Sequence, residues 1–464
     1  MQGPPQPFTD GSQQPSAAGH GPQPLPVGQR GQPSGAAGSR QLQQSDQDSP
    51  PLLPIDTALK LVLAQVTAPA TVELTLEHAL GAFLAQDVRT PVNLPPFTNS
   101  AMDGYAVRSA DVPGDLRVIG ESAAGRMFPG TVGQGEAVAI STGAAVPAGA
   151  DAVAQIEIVT RPDTAPSAVH PSSGQLPDVI TVDRSVAPGE AVREAGSDRR
   201  TGELVLVKGV RIGPAQIGAA AALGFTALPC GRRPSVAILT TGSELAALGK
   251  PLGAGQIYDS NGPMLRALVI SAGAEATMVS TVKDSAEAHV EALRQALEHD
   301  VVLTSGGVSV GRHDLVRAAQ RQLGVKELFW RIAMRPGKPL SFGVYGRSPA
   351  GERPAPALVF GIPGNPVSVL ACFELFVRPA LSALQGASSP GPEWIPLPLS
   401  AAVKSHPLRD DLIRVRVTQA GELQPLSGQQ SHQLGSAASS DGMARIPAAQ
   451  EMLTAGTRVS FLPL

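Results

Sequence analysis

Cysteine is almost missing from this chain of 464 residues: Cys230 and Cys372 are the only two, far apart and without a paired-cysteine spacing around either. No disulfide framework and no cysteine-built zinc site can be read from them. Aromatic side chains make up only 3 % of the chain, which argues against stacking platforms for single-stranded nucleic acid. Charge of one sign is lacking too. Lys plus Arg number 36 against 39 Asp plus Glu, a formal net charge of −3, whereas a nucleic-acid or anionic-membrane surface asks for an evident basic excess. No run of ~18 uninterrupted apolar residues occurs, and no basic stretch leads into an apolar one at the N-terminus. The expectation is a soluble, cytoplasmic protein that meets neither nucleic acid nor membrane.

What is abundant is glycine and proline, 50 and 44 residues, beside 42 % hydrophobic residues. The apolar content suffices for buried cores, and at roughly 150 residues per domain the length implies about three compact units. Residues 1–52 are Gln, Gly, Pro and Ser with almost no large apolar side chains, so they are expected to form a disordered tail. Leu59, Leu63 and Val66 then fall on one helical face, and a second periodic run predicts a helix over 77–86. Residues 92–187 switch to short β-branched or alternating runs broken by Gly and Pro, with a long loop expected over 161–178. Helical periodicity returns over 214–223. Residues 53–91 and 188–232 are therefore read as one mixed α/β connecting domain, into which a β-rich domain is inserted.

From 233 to 386 strand and helix patterns alternate, the signature of a doubly wound, mostly parallel sheet. Residues 387–464 return to punctuated strands, consistent with a C-terminal β-barrel-like domain. The fold class is thus multidomain α/β.

Ligands of doubly wound sheets bind at the carboxyl ends of the strands, so the loops there matter most. After a strand over 301–304 comes Ser305-Gly306-Gly307-Val308-Ser309-Val310-Gly311, then Arg312-His313-Asp314 opening a helix. Ser305, Gly306, Gly307, Ser309 and Gly311 would cradle a phosphate with backbone amides; a tight turn that needs glycine for geometry alone is the alternative. In Met334-Arg335-Pro336-Gly337-Lys338-Pro339, two cations in a stiffened loop converge on an oxyanion such as phosphate, sulfate or molybdate. Gly361-Ile362-Pro363-Gly364-Asn365-Pro366 reads as a rigid wall, with Pro363 and Pro366 beside the substrate, or as simple helix initiation. Glu244, Asp259, Asp284 and Asp314 lie near strand ends. Carboxylates beside an anion site call for a hard cation, so a magnesium site at Glu244 and Asp314 is inferred. Asp284 is placed with the substrate-binding residues, although singly Asp284 and Asp259 read better as loop or helix-cap residues. Two further loops, around Asp103 and around Thr142, fit a lid over this site, contributed by the same or another subunit.

Taken in order, the segments NSAMDGYAV, STGAAVPAGADAV, TTGSEL, IYDSN, TSGGVSVGRHD, MRPGKPLSFG and GIPGNPVS resemble the molybdopterin molybdenumtransferase family, the MoeA type related to the gephyrin E domain. The resemblance runs from about residue 54 to 464, and its specificity lies in the ordered set. It implies insertion of molybdate into the dithiolene of adenylyl-molybdopterin, with Mg²⁺-dependent release of AMP. On that footing the Gly-rich loop holds phosphate, Glu244 and Asp314 help place Mg²⁺, and Arg335 with Lys338 attract molybdate. Asp103, Thr142 and Asp198 match family positions implicated in activity. Ser197 stands where the family commonly has Glu, and Arg335 where it often has Lys. The implied architecture is an elongated four-domain homodimer with a MogA-like domain and a composite active site, in transient contact with other proteins of molybdenum cofactor biosynthesis. Two other readings remain: a molybdopterin adenylyltransferase, and a non-catalytic dimeric scaffold of the same fold.

Overall fold

The computed structural model describes residues 52–67, 69–160, 176–282, 285–306, 315–347, 355–449 and 451–464. The first helix, α1 (Ile55–Leu63), starts after Pro54 and carries Asp56 in its first turn and Lys60 in its last, matching the helix dipole. Ile55, Ala58 and Val62 form its buried face, and they enter the core of the α/β sheet further along the chain. Arg445 fastens the helix start by pairing with Asp56 at 2.9 Å.

β1 (Thr71–Thr75) pairs antiparallel with residues 227–231. The helix expected over 77–86 is not there: α2 spans only Leu76–Ala79. Gly81 at φ +80° reverses the chain, and Phe83 and Leu84 instead bridge to Arg211 and Cys230. Leu84 and Ala79 face a small core with Ile212, Leu228 and Cys230, so tertiary packing overrides the helical periodicity.

The inserted segment forms a six-stranded mixed sheet from β2 (Gly104–Val107), β3 (Gly114–Ser122), β4 (Glu136–Ile140), β5 (Ala152–Gln155), β6 (Val159–Thr160) and β7 (Val179–Val182), in the order β5-β2-β4-β3-β7-β6. Most of the loop expected over 161–178 lies outside the described residues. The chain then runs through α3 (Pro214–Ala222) and β8 (Ala227–Gly231), the partner of β1.

The second sheet is built from β9 (Ser235–Thr241), β10 (Glu275–Val282), β11 (Val301–Ser305), β12 (Lys326–Trp330), β14 (Ser341–Tyr345) and β15 (Ala357–Ile362). Its order is β10-β9-β11-β15-β14-β12, with β13 (Met334–Arg335) left out to join another sheet. β10, β9, β11 and β15 are parallel; β14 and β12 add an antiparallel edge. Val236 to Leu239, Val301 to Leu303 and Leu358 to Phe360 are almost completely buried, as strands covered on both faces must be. The helices α4 (Asn261–Ser271), α5 (Ala286–Ala296) and α6 (Leu315–Gln322) follow the parallel strands. Pro366–Leu384 is one helical run, α7 (Pro366–Cys372), a π turn and α8 (Arg378–Leu384), long and apolar enough to cross a membrane. Most of it is buried in this core, through residues such as Val369, Phe373, Phe376 and Leu381, which accounts for its apolar character.

The chain ends in a sheet of β16 (Ile395–Pro398), β17 (Asp410–Val417), β18 (Leu423–Pro425), β19 (Gly442–Ile446) and β20 (Arg458–Pro463), completed by β13. This exchange of β13 joins the α/β sheet to the terminal sheet beside the strand ends.

Candidate functional site

In the parallel sheet the strand order reverses between β9 and β11, since β10 lies on one side of β9 and all later strands on the other. At such a point the loops leave in opposite directions and open a crevice. Thr241, Ser305 and Ile362 end the three neighbouring strands there, with Thr240 opposite Ser305 and Ser305 opposite Ile362. Gly306 follows at φ +97°, and a Cβ on it would meet the Thr241 carbonyl oxygen at 2.8 Å. Only glycine lets the strand ends approach this closely.

Asn261, the first residue of α4, ties the crevice together: its side-chain amide donates to Ser305 Oγ at 3.0 Å and to the Gly364 carbonyl at 2.6 Å. Its Oδ1 is buried and has no hydrogen-bond partner, which leaves an acceptor for a ligand donor. Asp259 accepts from the Gly262 amide at 2.9 Å, a helix-start role. The exposed Glu244 folds back over Gly242, where a Cβ would sit 2.6 Å from both carboxylate oxygens. Among the described residues its side chain has neither a hydrogen bond nor an ion pair. Gly307, Ser309, Gly311, Asp314 and Asp284 lie outside the described residues.

Next to the crevice lies a cavity of about 470 Å³ lined by Arg335, Lys338, Pro363, Asn365, Arg409 and Ser431, among others. The Arg335 loop is more than the end of a strand of the α/β sheet: Met334 and Arg335 pair in parallel with Asp410 and Asp411 of β17. Arg335 donates to Asp411, whose side chain is 2 % exposed, while the Arg335 side chain is 57 % exposed. Burial pushes the Asp411 carboxyl above its ordinary pKa against the opposing pull of Arg335. The turn closes through the Ile332 amide on the Lys338 carbonyl at 2.9 Å and the Leu340 amide on the Gly337 carbonyl at 3.1 Å. Among the described residues Lys338 and Arg409 make no ion pair. Three cations thus face one cavity with one carboxylate set against them, a field that favours a dianion.

Pro363 and Asn365 wall this cavity, and Gly364 between them packs toward Gly306, 3.8 Å from its Cα to a Cβ placed on Gly364. A single loop therefore separates the cationic cavity from the strand-end crevice. Pro366 occupies the first turn of α7, where its missing N–H costs nothing.

Asp103 and Thr142 meet in the inserted sheet: Asp103 Oδ1 accepts from the Thr142 amide at 2.7 Å and from its hydroxyl at 3.1 Å. Asp198 is exposed beside Arg199, at 3.4 Å, and does not join them. Among the described residues no hydrogen bond or ion pair links Asp103, Thr142 or Asp198 to Glu244, Arg335 or Lys338. Two residues escaped the sequence reading. Asn261 closes the IYDSN segment but carries no charge to draw notice, and Arg409 sits in a terminal-domain loop without any motif, near the cavity only because β13 pairs with β17.

Three family models match in chain order: "MoeA N-terminal region (domain I and II)" over residues 53–224, "Probable molybdopterin binding domain" over 237–383, and "MoeA C-terminal region (domain IV)" over 396–464. A molybdopterin molybdenumtransferase of Haemophilus influenzae is 35 % identical over 362 residues, covering 77 % of this chain and 83 % of the relative. The chain belongs to the molybdopterin molybdenumtransferase family. Another member, from Staphylococcus aureus, is 34 % identical over 74 % of this chain and 78 % of its own length. The crystal structure of the molybdopterin biosynthesis MoeA protein from Pyrococcus horikoshii superimposes with a TM-score of 0.73 at 31 % identity, over 89 % of this chain and 100 % of that one. The family's three matched regions coincide with the inserted and connecting segments, the doubly wound sheet and the terminal sheet described above.

Proposed function

We propose that this chain is a molybdopterin molybdenumtransferase that inserts molybdate into adenylyl-molybdopterin, releasing AMP and yielding molybdenum-molybdopterin. The observation that carries the reading is the adjacency of a three-cation cavity and a glycine-lined strand-end crevice across the single loop Pro363 to Asn365. Arg335, Lys338 and Arg409 hold a tetrahedral dianion; the Gly-rich loop holds the phosphate, and the free acceptor of Asn261 receives an N–H of the pterin. The two reactants are both anions, and binding them in neighbouring subsites converts their encounter into an intramolecular one. Asp103 and Thr142 then position substrate or handle a proton. An adenylyltransferase would have no use for a cationic cavity formed with the terminal sheet, which weighs against that alternative.

Of the two expected magnesium ligands, Glu244 is exposed at the end of the strand preceding it, and Asp314 lies outside the described residues; Mg²⁺ typically takes one or two carboxylates plus substrate oxygens. Glu244, with Asp314, would hold it, and it would supply neutralisation of the charge developing on the leaving AMP.

The composite homodimer is part of the same proposal. Its support is that, among the described residues, Asp103 and Thr142 bond to each other and no hydrogen bond or ion pair links either of them to Arg335 or Lys338. Incubation of the purified chain with adenylyl-molybdopterin, Mg²⁺ and molybdate should release AMP in a molybdate-dependent way. Consumption of ATP with unadenylated pterin, or no reaction in either assay, would refute the transferase reading.

A further inference from the structure

The two arginines of the cationic cavity are held from behind in different ways. Arg335 leans on a carboxylate, Asp411, which cancels part of its charge. Arg409 makes no ion pair among the described residues; its Nη2 lies 2.9 Å from Nε2 of His406. The other ring nitrogen, Nδ1, faces the Leu408 amide at 3.1 Å. Both neighbours are donors, and a neutral imidazole offers only one lone pair. The ring can satisfy one of them.

Resting on the oxyanion reading above, we infer that His406 is a positioning residue for the molybdate subsite: its Nε2 lone pair fixes the Arg409 guanidinium in the cavity without neutralising it. A charge-assisted bond to guanidinium outcompetes one to a neutral amide. Leu408 is 73 % exposed, so this turn lies at the protein surface. The groups around the ring disfavour its protonation. Burial, then the positive charges of Arg409 and Arg335, push the imidazolium pKa down, against the pull of Asp411. A neutral acceptor is the right partner for a cation that must keep its full charge for an anion. A carboxylate at position 406 would orient Arg409 equally well and cost the subsite one positive charge.

Three substitutions separate this role from a merely structural one. In His406→Gln the amide oxygen replaces Nε2 and still faces Arg409. In His406→Asn it replaces Nδ1 and serves only the Leu408 turn. His406→Ala serves neither. Molybdate is titrated calorimetrically into the full-length protein at pH 8 and low salt, with melting temperatures recorded for each variant. The expected result is near-wild-type affinity for Gln and about tenfold weaker binding for Asn and Ala. Restoration by Asn but not by Gln, or equal affinity in all three, overturns the inference. Failure of the wild type itself to bind molybdate overturns the oxyanion reading on which it rests.

Discussion

Asp300 ties the connecting segment to the doubly wound sheet, and its removal gives a test of that joint. It sits just before β11 and receives two bonds from Arg232, at 3.0 and 2.9 Å, and two from Ser235 at the start of β9, from the amide at 2.7 Å and the hydroxyl at 3.0 Å. Asp300 is 9 % exposed and Arg232 43 %. Breaking a buried pair costs about 3–5 kcal/mol. Here Arg232 can return to water, so the loss comes mainly from the buried Ser235 donors, and Asp300→Ala should cost about 3 kcal/mol, the low end of that range. At about 2–4 °C per kcal/mol the melting temperature should fall by about 6–12 °C. Asp300→Asn keeps one acceptor for the Ser235 amide and should cost about half as much. Burial works to raise the Asp300 pKa, but the Arg232 and Ser235 bonds outweigh it and hold it below the usual carboxylate value. A depressed folded pKa contributes stability that is fully present above the unfolded value of about 3.9 and is lost as pH falls through the folded one. The gap between wild type and Ala variant should therefore be the same at pH 8 and pH 5.5. Differential scanning calorimetry at both values decides: a gap under 2 °C at pH 8, or one that vanishes by pH 5.5, refutes the reasoning.

Other consequences follow from the site. Gly306→Ala puts a side chain in the left-handed region, at a cost of about 1–2 kcal/mol, and against the Thr241 carbonyl; AMP release should drop at least about tenfold while circular dichroism is unchanged, and full activity would sink the close-approach argument. Asp103→Ala and Lys338→Ala should each be inactive as homodimers, whereas mixed dimers purified with two different tags should regain activity, one wild-type site being assembled from the two chains; an inactive mixture would place both residues in one subunit's site. Both cysteines are buried and unpaired; burial raises the Cys230 thiol to about 11 and also pushes Cys372 up. Neither should react with a thiol reagent at pH 8 in the native protein, and both should react in denaturant; prompt native labelling would contradict the packing.

Much of this protein is legible from local pattern. Buried parallel strands such as 236–239 and 301–303 declare themselves as short β-branched runs because both faces must be apolar, and Gly306 and Lys338 draw notice because they sit in Gly- or Pro-stiffened loops that follow strands, although a tight turn would use glycine in the same way. The ordered motifs sufficed for the family. The helix expected over 77–86 failed because Gly81 turns the chain and Leu84 finds a better place against Leu228 and Cys230, a contact between residues more than a hundred positions apart. Arg409, Asp411 and His406 carry no local signal at all; Arg409 lines the cavity, with Asp411 and His406 bonded to its arginines, because Met334 and Arg335 pair with the terminal sheet. Sequence by itself determined which segments are strand, loop and charge. Tertiary structure decided which charges share a cavity, because that depends on strand pairing across the chain and leaves no trace in spacing.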